Sequence, residues 1–325
     1  MRGNDDVGTI PSLFSSFPRK QESISISIVG EPPVMNAPAK LNLFLHVQKE
    51  RGDGYHPLQS LVAFAGCGDV VAVEAQPGID LKITGPFAGG LNADVRENII
   101  LRAARALHHH AAVRGSTPGG AAITLTKNLP LASGIGGGSA DAAATLRELS
   151  RLWGVDIDAV SLARMALKLG ADVPVCLYGH SAWMEGIGEK IAPGPALPPV
   201  PLVLVNPGRS VSTAEIFATF DAKGVSTPSV APGDKPDAFP DKSALMRFLK
   251  CTRNDLEKIA LTLVPEIGHV LAAFNESGAL FARMSGSGAT CFGFYETAKH
   301  AEKAVNLLRV THSDWWIQQT SLLQG

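Results

Sequence analysis

One stretch of the chain, residues 129–144, constrains the fold more than any other. It reads Leu-Pro-Leu-Ala-Ser-Gly-Ile-Gly-Gly-Gly-Ser-Ala-Asp-Ala-Ala-Ala, with four glycines within five consecutive positions. Ser139 is a typical N-cap residue, and Ala142, Leu146 and Leu149 follow it at helical spacing. A loop without Cβ atoms that leads into a helix directs several unpaired N–H groups to one point, where the helix dipole adds partial positive charge. We therefore expect a phosphate-binding loop here, the alternative being a flexible linker or a tight turn.

The residue order in this loop excludes three common glycine-rich motifs. A Walker A loop has Gly-Lys-Ser/Thr after its glycines, whereas Gly138 is followed directly by Ser139. The dinucleotide fingerprint needs a further glycine at position 139. A nucleophile elbow needs a glycine at position 141, where this chain has Asp141. The loop therefore belongs to another class of phosphate-binding segment.

Composition and charge favour a compact soluble protein. Hydrophobic residues make up 45% and charged residues 18% of the 325 residues, which is enough for a large core, and the length favours two domains. The net charge of −1 gives no indication of a nucleic-acid or membrane-surface partner, and no uninterrupted apolar run reaches membrane-spanning length. The four cysteines are far apart in the sequence, so we expect reduced core thiols and a cytoplasmic protein.

Two polar pairs in the first part of the chain are candidates for a binding site. Residues 37–47 alternate as a strand does, with Lys40 and Asn42 on one face, either as solvated edge residues or as part of a site. A turn-rich segment then places Tyr55 beside His56. Such a pair of rings suits a planar base, and the alternative is a packed tyrosine with a surface histidine.

Asp172 has an unusual setting for a carboxylate. It lies between a predicted helix stop at Gly170 and the apolar segment 173–175. Burial favours the neutral form of a carboxyl group unless a cation lies close. Asp172 is therefore either a local cap or a catalytic carboxylate.

The rest of the pattern predicts strands and helices around these motifs. Three adjacent histidines, residues 108–110, are expected to end a helix that begins near Glu97. We do not expect them to bind a metal, because adjacent positions cannot share a helix face as metal ligands do. Five prolines in residues 193–201 indicate a domain boundary, and residues 226–242 read as a surface loop. Residues 1–34 show no sustained periodicity, so we expect this extension to be poorly ordered.

Three segments together resemble the GHMP kinase family of small-molecule kinases. Residues 127–130 with the glycine loop resemble that family's phosphate-binding motif, residues 38–42 its first motif and residues 284–289 its third. They occur in the family's order. The loop departs from the family pattern at Ala132 and Ser133, where glycine or another small residue is expected.

The resemblance implies an α+β fold with two domains. A ribosomal-protein-S5-like ATP-binding domain is expected over residues 35–195, and a ferredoxin-like substrate domain over residues 196–325, after the extension 1–34. ATP with Mg²⁺ is the implied phosphoryl donor, without an assigned protein ligand for the metal. We expect a monomer or weak homodimer, with no nucleic-acid or membrane partner.

Further segments resemble the family members that phosphorylate the 2-hydroxyl of a cytidine diphosphate ester of methylerythritol, in the non-mevalonate route to isoprenoid precursors. These are residues 51–59, 170–174 and 206–208. By this resemblance Asp172 is the general base and Lys40 its catalytic partner, which keeps the carboxylate ionised. The implied ATP-binding residues are Pro130, Leu131, Ala132, Ser133, Gly134, Ile135, Gly136, Gly137, Gly138, Ser139 and Ala140.

The implied substrate site has three parts. Tyr55 and Phe217 hold the cytosine ring between them, His56 reads its edge, and Asn42 and Thr213 complete the site. Two alternatives remain at this stage. One is another GHMP kinase, such as a homoserine or mevalonate kinase, which needs no base-stacking pair. The other is a ligand-binding member of the family without catalysis.

Overall fold

The structure is a computed structural model that describes residues 34–52, 54–91, 98–223 and 235–324. Residues 1–33 of the extension expected to be poorly ordered lie outside these ranges, as do residues 226–234 of the predicted surface loop.

The described residues of the first part of the chain form a mixed sheet with four α-helices. Its elements in order are β1 (Val34–Val47), β2 (Leu58–Gln76), β3 (Ile79–Thr84), α1 (Ile99–Val113), β4 (Gly120–Thr126), α2 (Gly137–Leu152), α3 (Ala159–Leu169), α4 (Val173–Tyr178), β5 (Ala182–Gly186) and β6 (Lys190–Pro193). The strands lie in the order β3-β4-β2-β5-β6, and β1 pairs with β2. The pairs are antiparallel, except that β3 runs parallel to β4.

The second part forms an antiparallel sheet with five helices among the described residues. Its elements are β7 (Pro201–Asn206), α5 (Thr213–Ala222), α6 (Lys242–Lys250), α7 (Glu257–Leu263), α8 (Glu266–Glu276), β8 (Phe281–Met284), β9 (Cys291–Phe294), α9 (Ala298–Thr311) and β10 (Trp316–Ser321). The strand order is β10-β7-β9-β8. No helix in the described ranges is long and apolar enough to cross a bilayer.

The two sheets share a hydrophobic core, and this explains why β1 is buried on both faces. Leu41, Leu43 and Phe44 of β1 belong to the same buried cluster as Leu204 of β7 and Phe292 of β9. Each such side chain contributes about 1.5–3 kcal/mol by leaving water. Two further cores pack the first sheet against α1–α4 and the second sheet against α5, α7, α8 and α9.

Several predicted element bounds are wrong for identifiable reasons. Ser139 is not the N-cap of α2: Gly136 takes that position with a φ of 63°, so the helix begins earlier. The histidines 108–110 do not end α1, which continues to Val113 because Ala111 is buried in the core. Residues 58–76 form one continuous strand, β2, which pairs with β1 over residues 58–72.

The cysteines agree with the sequence prediction in one respect and not in another. All four are free thiols. Cys176 and Cys291 are buried, whereas Cys251 is exposed, so the expectation of core thiols is wrong for Cys251.

Candidate functional site

A cavity of about 850 Å³ lies where loops of the two sheets meet. It brings together all the predicted catalytic and substrate-binding residues: Lys40, Asn42, Tyr55, His56, Asp172, Thr213 and Phe217. Most of the predicted phosphate-loop residues also line it. Ile135 and Ala140 do not, because their side chains are buried in the core on either side of the loop.

The predicted phosphate-binding loop, residues 130–140 (hereafter the phosphate loop), leads into the start of α2, where the first N–H groups have no acceptor within the helix. Gly137, Gly138 and Ser139 form the first turn of α2, and the first N–H paired within the helix is that of Ala140, which donates to the Gly136 carbonyl at 2.9 Å. The N–H groups of residues 137–139 therefore lack helical acceptors, as at any helix start. Together with the helix dipole, they make this end of the cavity attractive to an anion.

Gly134 allows the loop to lie against the second sheet. Its φ is 74°, and a Cβ atom there would lie 2.4 Å from the carbonyl oxygen of Ser285 and 2.6 Å from the amide nitrogen of Gly288. No side chain fits such a gap, so only glycine permits this contact. Ala132 also has a left-handed backbone, with a φ of 46°.

The segment 285–289 connects β8 to β9 and contributes to the cavity. The Ser285 hydroxyl accepts a hydrogen bond from the backbone N–H of Asn42 at 3.1 Å and donates to the Gly134 carbonyl at 3.1 Å. The hydroxyls of Thr213 and Ser287 lie 2.9 Å apart at the cavity wall. The segment is thus both a hairpin connection and a brace for the phosphate loop. The sequence motif predicted its presence without assigning it a site residue.

Lys40 and Asp172 form an ion pair at the base of the cavity. Lys40 Nζ lies 2.9 Å from Asp172 Oδ2, with the lysine side chain 4% and the aspartate side chain 34% exposed. The reading of Lys40 and Asn42 as solvated edge residues is therefore wrong. Asp172 precedes α4 at the N-cap position but makes no side-chain cap hydrogen bond there. Its carboxylate instead lines the cavity.

The ring residues lie at the other end of the cavity. The His56 ring stacks on Phe217, with 4.9 Å between centroids and 26° between planes. Its Nε2 is 3.2 Å from Asp221 Oδ2 and its Nδ1 is 3.1 Å from the Gln48 carbonyl, so two groups fix the ring. Tyr55 is 56% exposed. Asp221, which sequence reasoning missed, lies four residues after Phe217 on α5, so helical spacing places it on the same face.

Sequence reasoning also missed a buried ionic triad beneath the phosphate loop. Lys127 Nζ donates to Asp141 at 2.8 Å and to Asp69. Asp69 in turn accepts the backbone N–H groups of Asn128 and Leu129 at 2.6 and 2.9 Å. The triad ties β2, the end of β4 and the first turns of α2 together.

Burial and neighbouring charges shift the pKa values of Asp141 and Lys127 in this triad. Burial raises the pKa of the Asp141 carboxyl to about 7, although Lys127 pulls in the opposite direction. Burial also acts to lower the pKa of Lys127, but the carboxylates of Asp141 and Asp69 outweigh it and hold that pKa above its usual value. Asp141 Oδ1 is buried without a hydrogen-bond partner among the described residues. One ammonium thus faces two carboxyl groups in the interior.

Arg147 connects α2 to the helix that follows Asp172. Its guanidinium donates to the carbonyls of Cys176, at 2.9 Å, and Leu177, both in α4. Burial lowers the pKa of Arg147 to about 10. A cation at the C-terminal end of a helix satisfies carbonyls that have no helical donor. Arg147 therefore fixes the far end of α4, and with it the position of Asp172.

The described residues contain no group of three or more His, Cys, Asp or Glu side chains that could hold a metal ion.

The sequence matches two family profiles. The profile described as GHMP kinases N terminal domain matches residues 98–180, and that described as GHMP kinases C terminal matches residues 238–309. The chain is 46% identical over 284 residues to the 4-diphosphocytidyl-2-C-methyl-D-erythritol kinase of Chelativorans sp. (strain BNC1), covering 87% of this chain and 94% of that one. It is 48% identical over 282 residues to the protein of the same name from Ruegeria pomeroyi, covering 86% and 95%.

The fold is similar to that of a solved structure whose name corresponds to that of these two relatives. A crystal structure of 4-(cytidine 5'-diphospho)-2C-methyl-D-erythritol kinase superimposes with a TM-score of 0.68 at 34% identity, covering 90% of this chain and all of that chain. The similarity extends over both sheets.

Proposed function

The chain belongs to the GHMP kinase family, and from this premise we propose that it phosphorylates the 2-hydroxyl of 4-diphosphocytidyl-2-C-methyl-D-erythritol with ATP. The products are the 2-phosphate and ADP, in non-mevalonate isoprenoid precursor biosynthesis. The observation that carries the proposal is a single cavity in which the Lys40–Asp172 pair lies beside the start of α2. A Cβ atom on Gly136 would lie 3.1 Å from Lys40 Cε, so the two groups are in contact distance of one another.

We assign the general base role to Asp172. A tertiary alcohol is a weak nucleophile, so its attack is helped by a carboxylate within about 3 Å of its proton. Asp172 is part-exposed to the cavity and can accept that proton, while Lys40 offsets the cost of holding a carboxylate near phosphate groups. Phosphoryl transfer otherwise depends on positioning and on neutralising charge.

The phosphates of ATP fit the amide groups at the start of α2. The N–H groups of residues 137–139 and the Lys40 ammonium together supply positive potential where negative charge accumulates. Residues 130–140 form this ATP site, with Ile135 and Ala140 contributing through their backbone because their side chains are in the core. Leu91, Ile99 and Leu131 line the same cavity and offer an apolar wall for the purine.

The cytosine end of the substrate fits the ring residues. Phe217 and the part-exposed ring of Tyr55 can cover the two faces of the base. His56, which Asp221 and the Gln48 carbonyl hold against Phe217 of α5, is the residue that we assign to reading its edge. Asn42 and Thr213 also line the cavity, and we assign them to the substrate site.

Mg²⁺ enters, in this proposal, as part of the MgATP substrate. The described residues offer no cluster of protein ligands, which fits an ion held by phosphate oxygens and water with one or two protein oxygens. The half-buried Ser139 hydroxyl, in the first turn of α2, is one such oxygen. The ion supplies charge neutralisation on the phosphates. The four free thiols suit a cytoplasmic enzyme.

A coupled assay of ADP release tests the proposal. We expect turnover with ATP and the cytidine diphosphate substrate, and none with mevalonate or homoserine in its place. CMP and CDP should raise the melting temperature, because a ligand that binds only the folded state stabilises it. Turnover of mevalonate or homoserine would identify a different GHMP kinase, and nucleotide binding without any turnover would identify a non-catalytic member.

A further inference from the structure

A line of hydrogen bonds runs from the interior of the first sheet to the ammonium group of Lys40. Ser60, on β2 and fully buried, donates its hydroxyl proton to the Phe44 carbonyl at 2.6 Å. The same hydroxyl accepts an N–H from the Asn42 side-chain amide at 2.8 Å. The amide oxygen of Asn42 then accepts from Lys40 Nζ at 2.9 Å. Ser60 and Asn42, the two middle members, each donate once and accept once in this line.

The line lies at an irregularity in the pairing of β1 with β2. The register shifts between Asn42 and Phe44, and the Phe44 carbonyl accepts the Ser60 hydroxyl proton at this point. With its proton committed to that carbonyl, the hydroxyl has only lone pairs to offer Asn42. The nitrogen of the Asn42 amide must therefore face Ser60, and its oxygen must face Lys40.

The opposite orientation of the amide would be costly. It would place the NH₂ group of Asn42 against the Lys40 ammonium, a contact between two donors in a site where both side chains are almost fully buried. A buried donor without an acceptor costs more than a hydrogen bond gains. The hydroxyl of Ser60 removes this alternative, since it accepts from the amide nitrogen.

We propose that Ser60 is a positioning residue, which acts through the amide of Asn42 to hold the Lys40 ammonium against Asp172. Asn42 then serves Lys40 as well as lining the substrate site. The Lys40 ammonium group has three N–H donors. Asn42 and Asp172 accept one hydrogen bond each, and these two hydrogen bonds fix the direction of the third N–H. This inference rests on the proposed function, because it concerns the same reaction.

The test compares Ser60→Cys with the wild-type enzyme. Cysteine is close to serine in size, but its thiol is a weak donor and a weak acceptor, so the fold is kept and the line is broken. We expect kcat to fall about tenfold, with KM for ATP and for the cytidine diphosphate substrate changed by less than about twofold. Ser60→Ala should behave in the same way where it folds.

A double-variant cycle separates positioning from a merely structural role. If Ser60 acts through Asn42, Asn42→Ala combined with Ser60→Cys should have the kcat of Asn42→Ala alone within about twofold. Independent, multiplied effects would overturn the proposal, as would wild-type kcat in Ser60→Cys. Ser277→Ala is the matched control, since Ser277 also donates to a carbonyl, that of Phe274, and pairs with Tyr295, remote from the cavity. It should lower the melting temperature without changing kcat.

A second readout does not depend on activity. In ¹⁵N-labelled protein, the side-chain amide signal of Asn42 should show slow proton exchange, and Ser60→Cys should accelerate that exchange and shift the signal. An unchanged Asn42 signal in Ser60→Cys would overturn the inference. Absence of transfer by the wild-type enzyme would instead contradict the proposed function and leave the amide measurement valid.

Discussion

Lys40 Nζ and Asp172 Oδ2 lie 2.9 Å apart although 132 positions separate the two residues in the chain. One comes from β1 and the other from the turn before α4, so the fold alone brings them together. We predict that Asp172→Asn lowers kcat by about 10² or more, because the amide cannot accept the substrate's proton. KM for ATP should change little.

Steady-state kinetics in the ADP-release assay checks this prediction. Asp158→Asn is the control, since Asp158 is an exposed cap of α3 and asparagine caps a helix equally well. Wild-type turnover by Asp172→Asn would exclude this residue as the base.

Two glycines of the phosphate loop should respond in opposite ways to alanine. Gly134→Ala places a Cβ 2.4 Å from the Ser285 carbonyl oxygen at a φ of 74°, so it should destabilise the protein by about 2 kcal/mol or more. Gly138→Ala adds a Cβ whose nearest neighbour is 3.9 Å away in a helical turn, and it should be neutral or stabilising by up to about 1 kcal/mol. Thermal and urea unfolding measure both. Equal losses in the two variants would contradict the close approach at Gly134.

Asp141 should make stability fall as pH rises. Its pKa is raised to about 7 in the folded protein from 3.8, so between about pH 4 and 7 the folded state binds more protons than the unfolded chain. The free energy of unfolding then falls with pH over that window, by at most about 1.4 kcal/mol per pH unit from this group. In Asp141→Asn that contribution is absent. The free energy of unfolding of the wild type minus that of the variant should therefore decrease from about pH 4 to 7.

Asp158 is the control for this pH effect, and its contribution to stability depends on pH in the opposite direction. Hydrogen bonds from Ser161 lower the pKa of Asp158, so its contribution to stability is present above its unfolded pKa and is lost as pH falls. Parallel stability curves for wild type and Asp141→Asn would show that Asp141 is not held as the triad implies.

Arg147 should affect both stability and turnover. In Arg147→Met the carbonyls of Cys176 and Leu177 lose a donor, at about 1–3 kcal/mol for a buried group left unpaired. Because α4 then loses its anchor, kcat should fall with the melting temperature. Arg114→Met, at an exposed pair with Asp158, should change stability by less than about 0.5 kcal/mol and leave kcat unchanged. A loss of stability in Arg147→Met with full kcat would contradict a role for α4 in placing Asp172.

Local sequence signals predicted the elements that carry the phosphate loop. The alternation of β1 and the helical spacing of α2 are both visible over short windows, and both elements are present. The N-cap was misplaced because a left-handed glycine can begin a helix without a capping side chain, and the sequence alone favours Ser139 for that role. The family resemblance implied that Lys40 and Asp172 lie close together. No spacing in the sequence predicted this.

Features that depend on distant partners could not be predicted in the same way. Lys40 and Asn42 could be solvated residues or part of a site, because their partners Asp172 and Ser285 lie more than one hundred positions later. The sequence gives no local signal for Asp69, since its partner Lys127 is 58 positions away. α4 does have a local signal in the sequence, because Pro174 in the first turn of a helix is favourable.

The helix α2 carries the phosphate loop at its start and Arg147 further along, and Arg147 holds α4, which begins after Asp172. In the proposed reaction, α2 therefore positions both the phosphate loop and, through α4, the Asp172 carboxylate. The distance between Gly136 and Asp172 is fixed as a result. An inhibitor that joins a phosphate mimic to a group bound at Asp172 should have one best linker length. Shorter and longer linkers should both lose affinity, because the helix cannot change its length to meet them.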